Sequence, residues 1–456
     1  MSTDSRDSSR VGARLTALAA ERSAVVLTLI VVAGLLPRLV LFGVAWSHPE
    51  RFLQVDSLDY LALGRNFSGA VVHGTGPNAG LSVYRPPGYP AFIALVHLVS
   101  PSIRLLVILQ IALTAVITIL AYRVTKLLFD ERAGLLAALI AAIDPVSATH
   151  SVYVLSETLF TLLLLLATWL WLEAVRVRAL PLGAVSGVAY AMAAFVRPVG
   201  LYLLIVLVPL SLLFPKGPRK YRALLALVVT AGFVVPVGLW MVRNQRVTGS
   251  LLFTSNQGYN LLLNTAAGGL AYDEHLPLAN VKARLRAQVD AVLQGDTNEA
   301  HRDREETRLA LGIIRKHLGG TAVEGLKGAF LMLTGPGEAS LDQLLSGPGR
   351  QGTPGTILLP IEVLLLAVAL IGAAIGLWRA LTFPSWRRSL WVPLAFIAYF
   401  LVLSAGPEAY SRFRVPIVPF IAALAGVGWS AVLTGKAIRS QRPETPAQPV
   451  TAGGPR

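Results

Sequence analysis

Cysteine is absent from all 456 residues, which excludes disulfides, thiolate chemistry and cysteine-bound zinc or iron–sulfur centres at once. Charge is scarce: 14% of residues are Asp, Glu, Lys or Arg, against about 25% in a soluble chain. The seven histidines, among them His48, His73, His97, His150 and His301, show no HxxxH or His/carboxylate spacing suited to a metal. No Walker loop and no dinucleotide fingerprint is found, so chemistry on soluble nucleotides is disfavoured. The long apolar runs are what the chain does have. Hydrophobic residues make up 54% of it, in stretches long enough for the ~20 residues that a helix needs to cross a bilayer.

The expectation is an all-α polytopic membrane protein of about ten transmembrane helices, near 23–44, 105–127, 133–148, 157–172, 182–195, 201–214, 223–241, 357–377, 389–403 and 415–433. The first is too long for a cleaved signal peptide and is read as a retained span. Alternate connections carry basic groups: Arg10 and Arg14, then Arg123, Lys126 and Arg132, then Arg176 and Arg178. Lys216 to Arg222, Arg379 to Arg388, and Lys436 to Arg442 continue the series. That alternation puts both termini in the cytoplasm of a plasma (inner) membrane. It also accounts for the formal charge of +15 without nucleic acid.

Five regions follow: a tail 1–22, a transmembrane module 23–241 with a catalytic first outer loop, and an outward loop domain 242–354 between the seventh and eighth spans. Helices at 355–435 and a disordered tail 436–456 complete the chain. Within the loop domain, 298–318 has helical apolar spacing among charges, which predicts a surface helix. The run 321–333 is apolar enough for the bilayer interface. No internal repeat is evident, which counts against inverted-repeat transporters.

Chemistry-bearing residues gather at the outward ends of spans. Asp56 and Asp59 share a face if their segment is helical; a helix cap at Asp56 would explain the pair without chemistry. Glu157 opens the fourth span, where a carboxylate is costly unless it faces a cavity, although it also suits a helix N-terminus. Arg85, Arg197, Arg243, Arg246, Arg412 and Arg414 lie on the outward side, against the positive-inside tendency. Arginine forks bind phosphate in a bidentate manner, whereas snorkelling to headgroups is the plain alternative.

These pieces, taken in order, resemble the membrane glycosyltransferases of the C-type fold, in the branch of the protein O-mannosyltransferases and the lipid A aminoarabinose transferase. The matching residues are Asp56-Ser57-Leu58-Asp59-Tyr60, Arg85-Pro86-Pro87-Gly88-Tyr89-Pro90, Phe129-Asp130-Glu131-Arg132, Ser156-Glu157-Thr158 and Arg197-Pro198-Val199-Gly200. Arg243-Asn244, Asn256-Gln257-Gly258-Tyr259-Asn260 and Arg412-Phe413-Arg414-Val415-Pro416 complete the set. The resemblance implies a sugar donor carried on a polyprenyl phosphate and a glycan, lipid or protein acceptor at the outer face. It places Asp56 as the first-loop base, with Asp59 and Glu157 as further acidic residues. Glu157 stands where relatives often carry a Pro-Asp pair. Arg85, Arg197, Arg243, Arg412 and Arg414 would bind the donor phosphate, and Tyr60, Tyr89, Asn256 and Tyr259 would line the acceptor or sugar pocket. Metal use varies within the family, so a divalent cation is left open.

A glycosyl phosphodiester has a good leaving group, so the transition state needs a base for the acceptor and positive charge for the departing phosphate. A flippase or secondary transporter of a lipid-linked sugar would draw on the same residue types, and a non-catalytic homologue would keep the fold alone.

Overall fold

The computed structural model describes residues 4–73, 83–347 and 353–434. Among the described residues the chain is helical throughout, with no strand; the expected tail 436–456 lies outside them. Helix α1 (Asp4–Val44) leads through a 3-10 turn, Pro49–Phe52, to α2 (Val55–His73) and α3 (Gly88–His97). Then come α4 (Ile103–Leu128), α5 (Glu131–Ile143), α6 (Pro145–Val152), α7 (Glu157–Val177) and α8 (Leu180–Val196). A 3-10 turn, Pro198–Leu203, precedes α9 (Leu204–Leu213) and α10 (Arg219–Thr248).

The chain is an all-α polytopic membrane protein. Seven helices are long and apolar enough to cross a bilayer, and the bent pair Glu131–Ile143 and Pro145–Val152 makes an eighth if it is one span. The bend of 53° has a local cause. Asp144 precedes Pro145, which drives it out of the helical region, to φ −60°, ψ 119°. Its carboxylate then caps the new helix by accepting from the Ser147 N–H at 2.7 Å. The ten expected segments are all helical, and two of them lie on shorter apolar helices. Residues 182–195 lie on α8, of 17 residues, and 201–214 lie on a 3-10 turn joined to the ten residues of α9.

Beyond α10 a separate helical unit forms: α11 (Gln257–Leu261), a π-turn at Leu262–Ala266, α12 (Ala267–Glu274) and α13 (Leu278–Leu293). It continues through α14 (Glu299–Lys316), α15 (Leu318–Thr334) and α16 (Glu338–Ser346). The unit has its own small core, in which Leu263, Val281, Leu285, Val289 and Ala310 are buried. The expected surface helix is α14. The apolar run 321–333 lies on α15, where Leu326 and Phe330 are exposed. The chain then returns through α17 (Thr353–Thr382) and α18 (Arg387–Ser404), and ends in a 3-10 turn, Ser411–Ile417, that runs into α19 (Val418–Thr434).

Helices in hydrocarbon gain little from apolar burial and associate by close backbone approach. The pair α17–α19 shows this. A Cβ on Gly376 would sit 1.8 Å from the Leu424 carbonyl oxygen, and one on Gly428 would sit 2.1 Å from that of Gly372. Gly376→Leu is therefore expected to destabilise the detergent-solubilised protein by at least the ~1–3 kcal/mol typical of overpacking. Gly238→Leu, at a position with open space around it, should leave the melting curve unchanged. Equal melting of both variants would remove the case for close α17–α19 packing.

Candidate functional site

The site begins with the start of α2. Ser57 is fully buried; its hydroxyl accepts from the Gln54 N–H at 2.9 Å and donates to the Val154 carbonyl at 2.8 Å. The first bond is a helix cap of the reciprocal kind. Ser57 therefore does the capping, and the Asp56 carboxylate is turned elsewhere. The second bond, with Val154 N–H to Phe52 carbonyl at 2.9 Å, pins the first loop to the segment that leads into Glu157. Gly88 brings in the arginines. A Cβ there would lie 2.7 Å from the Phe195 backbone, so only glycine lets the stretch after Arg85 pack on the end of α8, two residues before Arg197.

Six charged side chains meet there. Asp56 accepts from Arg85 at 2.9 Å through one carboxylate oxygen, and pairs with Arg412 at 2.9 Å through the other. Arg85 also holds Asp59 at 2.9 Å and lies 4.7 Å above the Tyr60 ring. Arg412 reaches on with its Nε to Glu157, whose Oε1 also takes Arg197. Glu157 is fully buried, and its Oε2 has no hydrogen-bond partner. Three carboxylates and three guanidiniums thus form one continuous, formally neutral chain of ion pairs. Asp56 is the partly open carboxylate held by two guanidiniums, its side chain 32% exposed; Asp59, held by Arg85, is 55% exposed. Burial alone would push its carboxyl up, but the Arg412 and Arg85 guanidiniums outweigh this and hold it below the ordinary carboxylate range. Burial likewise disfavours the Arg85 charge, yet Tyr60, Asp56 and Asp59 keep Arg85 above its usual value.

Of the expected site residues, Asp56, Asp59, Glu157, Arg85, Arg197, Arg412 and Tyr60 are brought together. Five are not. Arg414 turns away and donates to the Met332, Leu333 and Gly335 carbonyls at 3.0, 2.9 and 3.0 Å, closing the C-terminal end of α15. Arg243 donates to the Asn244 side chain at 2.9 Å and stacks on Trp240. Tyr89 is fully buried behind Tyr60, edge to face with centroids 4.8 Å apart, and donates to Gln110. Asn256 accepts from Thr254, and Tyr259 accepts from Arg286 at 3.2 Å within the loop unit. Two unforeseen residues touch the cluster: Ser156, approached by Tyr60 at 3.4 Å, and Tyr410, reached by Arg412 at 3.4 Å. Each is one or two residues from a foreseen one, and that adjacency was the available signal.

A divalent cation fits this donor set poorly. Guanidiniums take both Asp56 oxygens and one Glu157 oxygen, and among the described residues no group of three His, Asp or Glu could hold a metal. No step is assigned to one.

Residues 84–240, about a third of the chain, match the family model of dolichyl-phosphate-mannose-protein mannosyltransferase. That stretch contains Arg85, Glu157 and Arg197 but neither Asp56 nor Arg412. Among solved structures, the chain is similar to the archaeal oligosaccharyltransferase AglB from Archaeoglobus fulgidus in complex with an inhibitory peptide and a dolichol-phosphate. The identity is 14% and the TM-score 0.55, over 90% of this chain and 50% of that one. The apo form of the Archaeoglobus fulgidus oligosaccharyltransferase gives 16% identity and a TM-score of 0.56 over 91% and 51%. The complex with zinc and sulfate gives 13% and 0.52 over 90% and 51%. The chain spans about half the length of these proteins. Among curated proteins none matches by sequence. The chain therefore has the C-type glycosyltransferase fold that its sequence resembles.

Proposed function

We propose that the protein is a glycosyltransferase that moves a sugar from a polyprenyl-phosphate carrier to a hydroxyl of a glycan, lipid or protein acceptor at the outer face of the plasma membrane. The single observation that carries this reading is the position of Asp56, a partly open carboxylate held between Arg85 and Arg412. A base for the acceptor and cations for a leaving phosphate stand side by side.

The acceptor oxygen attacks the anomeric carbon, the bond from that carbon to the phosphate oxygen breaks, and the sugar inverts. The acceptor proton passes to Asp56. The polyprenyl phosphate leaves with an added negative charge, which Arg85, Arg197 and Arg412 are placed to meet. Glu157 touches neither reactant in this scheme. It aligns Arg197 and Arg412 from behind, as their shared counter-ion. Ionisable residues at span ends rather than at mid-membrane favour this over a transporter, whose sites tend to lie near the midplane.

The test is a mass-spectrometric comparison of envelope glycolipids and glycoproteins from cells with and without the protein. Loss of one sugar from one class of acceptor is the expected result. Unchanged acceptors together with a lipid-linked sugar trapped on the cytoplasmic leaflet would replace the transferase by a flippase.

A further inference from the structure

The loop unit carries a charged surface that the proposed reaction does not use. Helix α14 buries Glu306 and Ala310. On the other side, Arg304, Arg308, Leu311 and Arg315 fall within an arc of about 60° at 3.6 residues per turn. These three arginines have little to neutralise them. Arg304 donates to the Ser250 hydroxyl at 2.9 Å, and Arg308, its side chain 80% exposed, has only Glu305 at 3.5 Å. Arg315 has no acidic partner among the described residues. Asp303 also borders this surface, but its carboxylate accepts from the Gly258 N–H at 2.6 Å.

The surface walls a cleft of about 790 Å³ whose other side is residues 249–252. Those residues follow directly on α10, which ends at Thr248 and is long and apolar enough to span the bilayer. The cleft therefore opens at the depth of lipid headgroups. Its surroundings are apolar: Val247 is 61% exposed, Leu251 60% and Leu311 42%. Exposed apolar side chains beside arginines with an excess of positive charge at a span end are the surface chemistry of binding to an anionic bilayer. An acidic peptide would use the arginines but would leave Val247 and Leu251 without a role.

We propose that this cleft seats the headgroup of an anionic phospholipid from the leaflet on the side of the active site. The phosphate lies against Arg304, Arg308 and Arg315, and the first carbons of the acyl chains lie along Leu251 and Val247. Bound lipid holds α14 to the membrane surface, and through the Asp303–Gly258 contact it also holds α11.

Native mass spectrometry of the full chain, released from detergent in equimolar phosphatidylglycerol and phosphatidylcholine, tests this. The wild type should retain phosphatidylglycerol preferentially. R304Q/R308Q/R315Q should lose that preference by about ten- to a hundredfold, as each surface arginine adds to the attraction for an anionic headgroup. R304K/R308K/R315K should keep most of it, because headgroup attraction follows charge and not the planar fork. Equal retention of the two lipids by the wild type, or a preference unchanged in the glutamine variant, would overturn the proposal. Displacement of the lipid by millimolar inorganic phosphate would reduce the site to one for free anions. Displacement by a hexaglutamate peptide would make it a protein-docking surface, and either result ends the lipid assignment.

Discussion

Exchange of Asp56 for asparagine is expected to slow sugar transfer by at least ~10²-fold, the usual scale for a general base, while the protein stays folded. Asparagine matches aspartate in size, and its one amide oxygen can still accept from Arg85 or from Arg412 while its NH2 faces the other, so the side chain keeps its volume and loses its proton acceptor. The measurement is transfer rate with purified donor, alongside melting of the variant. Turnover within a factor of a few of the wild type would reduce Asp56 to a counter-ion and leave Asp59 as the next candidate. The pH profile adds an independent check. In the free enzyme Asp56 is held below the ordinary carboxylate range by Arg412 and Arg85, so the acid limb of kcat/KM should lie below ~3.9, the value of an unperturbed aspartate. A donor phosphate competes for those guanidiniums and weakens their hold on Asp56. The acid limb of kcat, which reports the donor-loaded enzyme, should therefore lie higher than that of kcat/KM.

Glu157→Gln should strike stability as well as turnover. Its carboxylate is fully buried and takes both Arg197 and Arg412. Removing one partner of a buried pair leaves uncompensated charge and costs about 3–5 kcal/mol. Arg197 and Arg412 are themselves only 15% and 11% exposed, so water offers them limited relief. A drop of that size in denaturation free energy is expected. Adding R197M to E157Q should return part of it, since Arg197 is the guanidinium left without a carboxylate, whereas Arg412 still has Asp56. If E157Q melts like the wild type, Glu157 is not the counter-ion that aligns the arginines, and the proposed site loses its support.

Much of this was legible in the residues because hydrocarbon imposes blunt rules. Apolar length marks spans, and an acid or arginine at a span end is costly enough to need a reason. That logic finds Asp56, Glu157, Arg85, Arg197 and Arg412. It fails where a choice depends on direction. Arg412 and Arg414 both sit on the 3-10 turn Ser411–Ile417, where three residues make a turn and neighbours two apart point about 240° apart. One therefore faces the cluster and the other the end of α15, and no pattern in the sequence says which. Tyr259 is settled by its contact with Arg286, which is long-range and leaves no periodic trace, and Asn256 by a local bond from Thr254. The ten expected segments and the seven or eight long apolar helices differ only at Leu180–Val196 and Pro198–Leu213, which are apolar helices of 10–17 residues. The break between α5 and α6, by contrast, was open to reading at Asp144-Pro145.

Arg412 lies 255 residues beyond Glu157, on the last candidate span among the described residues. Of that span's apolar window, 72% is buried, against 17% to 56% for the other six. Until the ribosome delivers it, the nascent protein holds three carboxylates against two guanidiniums, beside a slot that α4, α5 and α17, already made, line. The helix that fills the slot also balances the charge. A chain stopped short of that point is thus flawed in two ways at once, with an open seam in the bundle and an unpaired acid inside it. Both distinguish a chain that lacks this helix from one that has it.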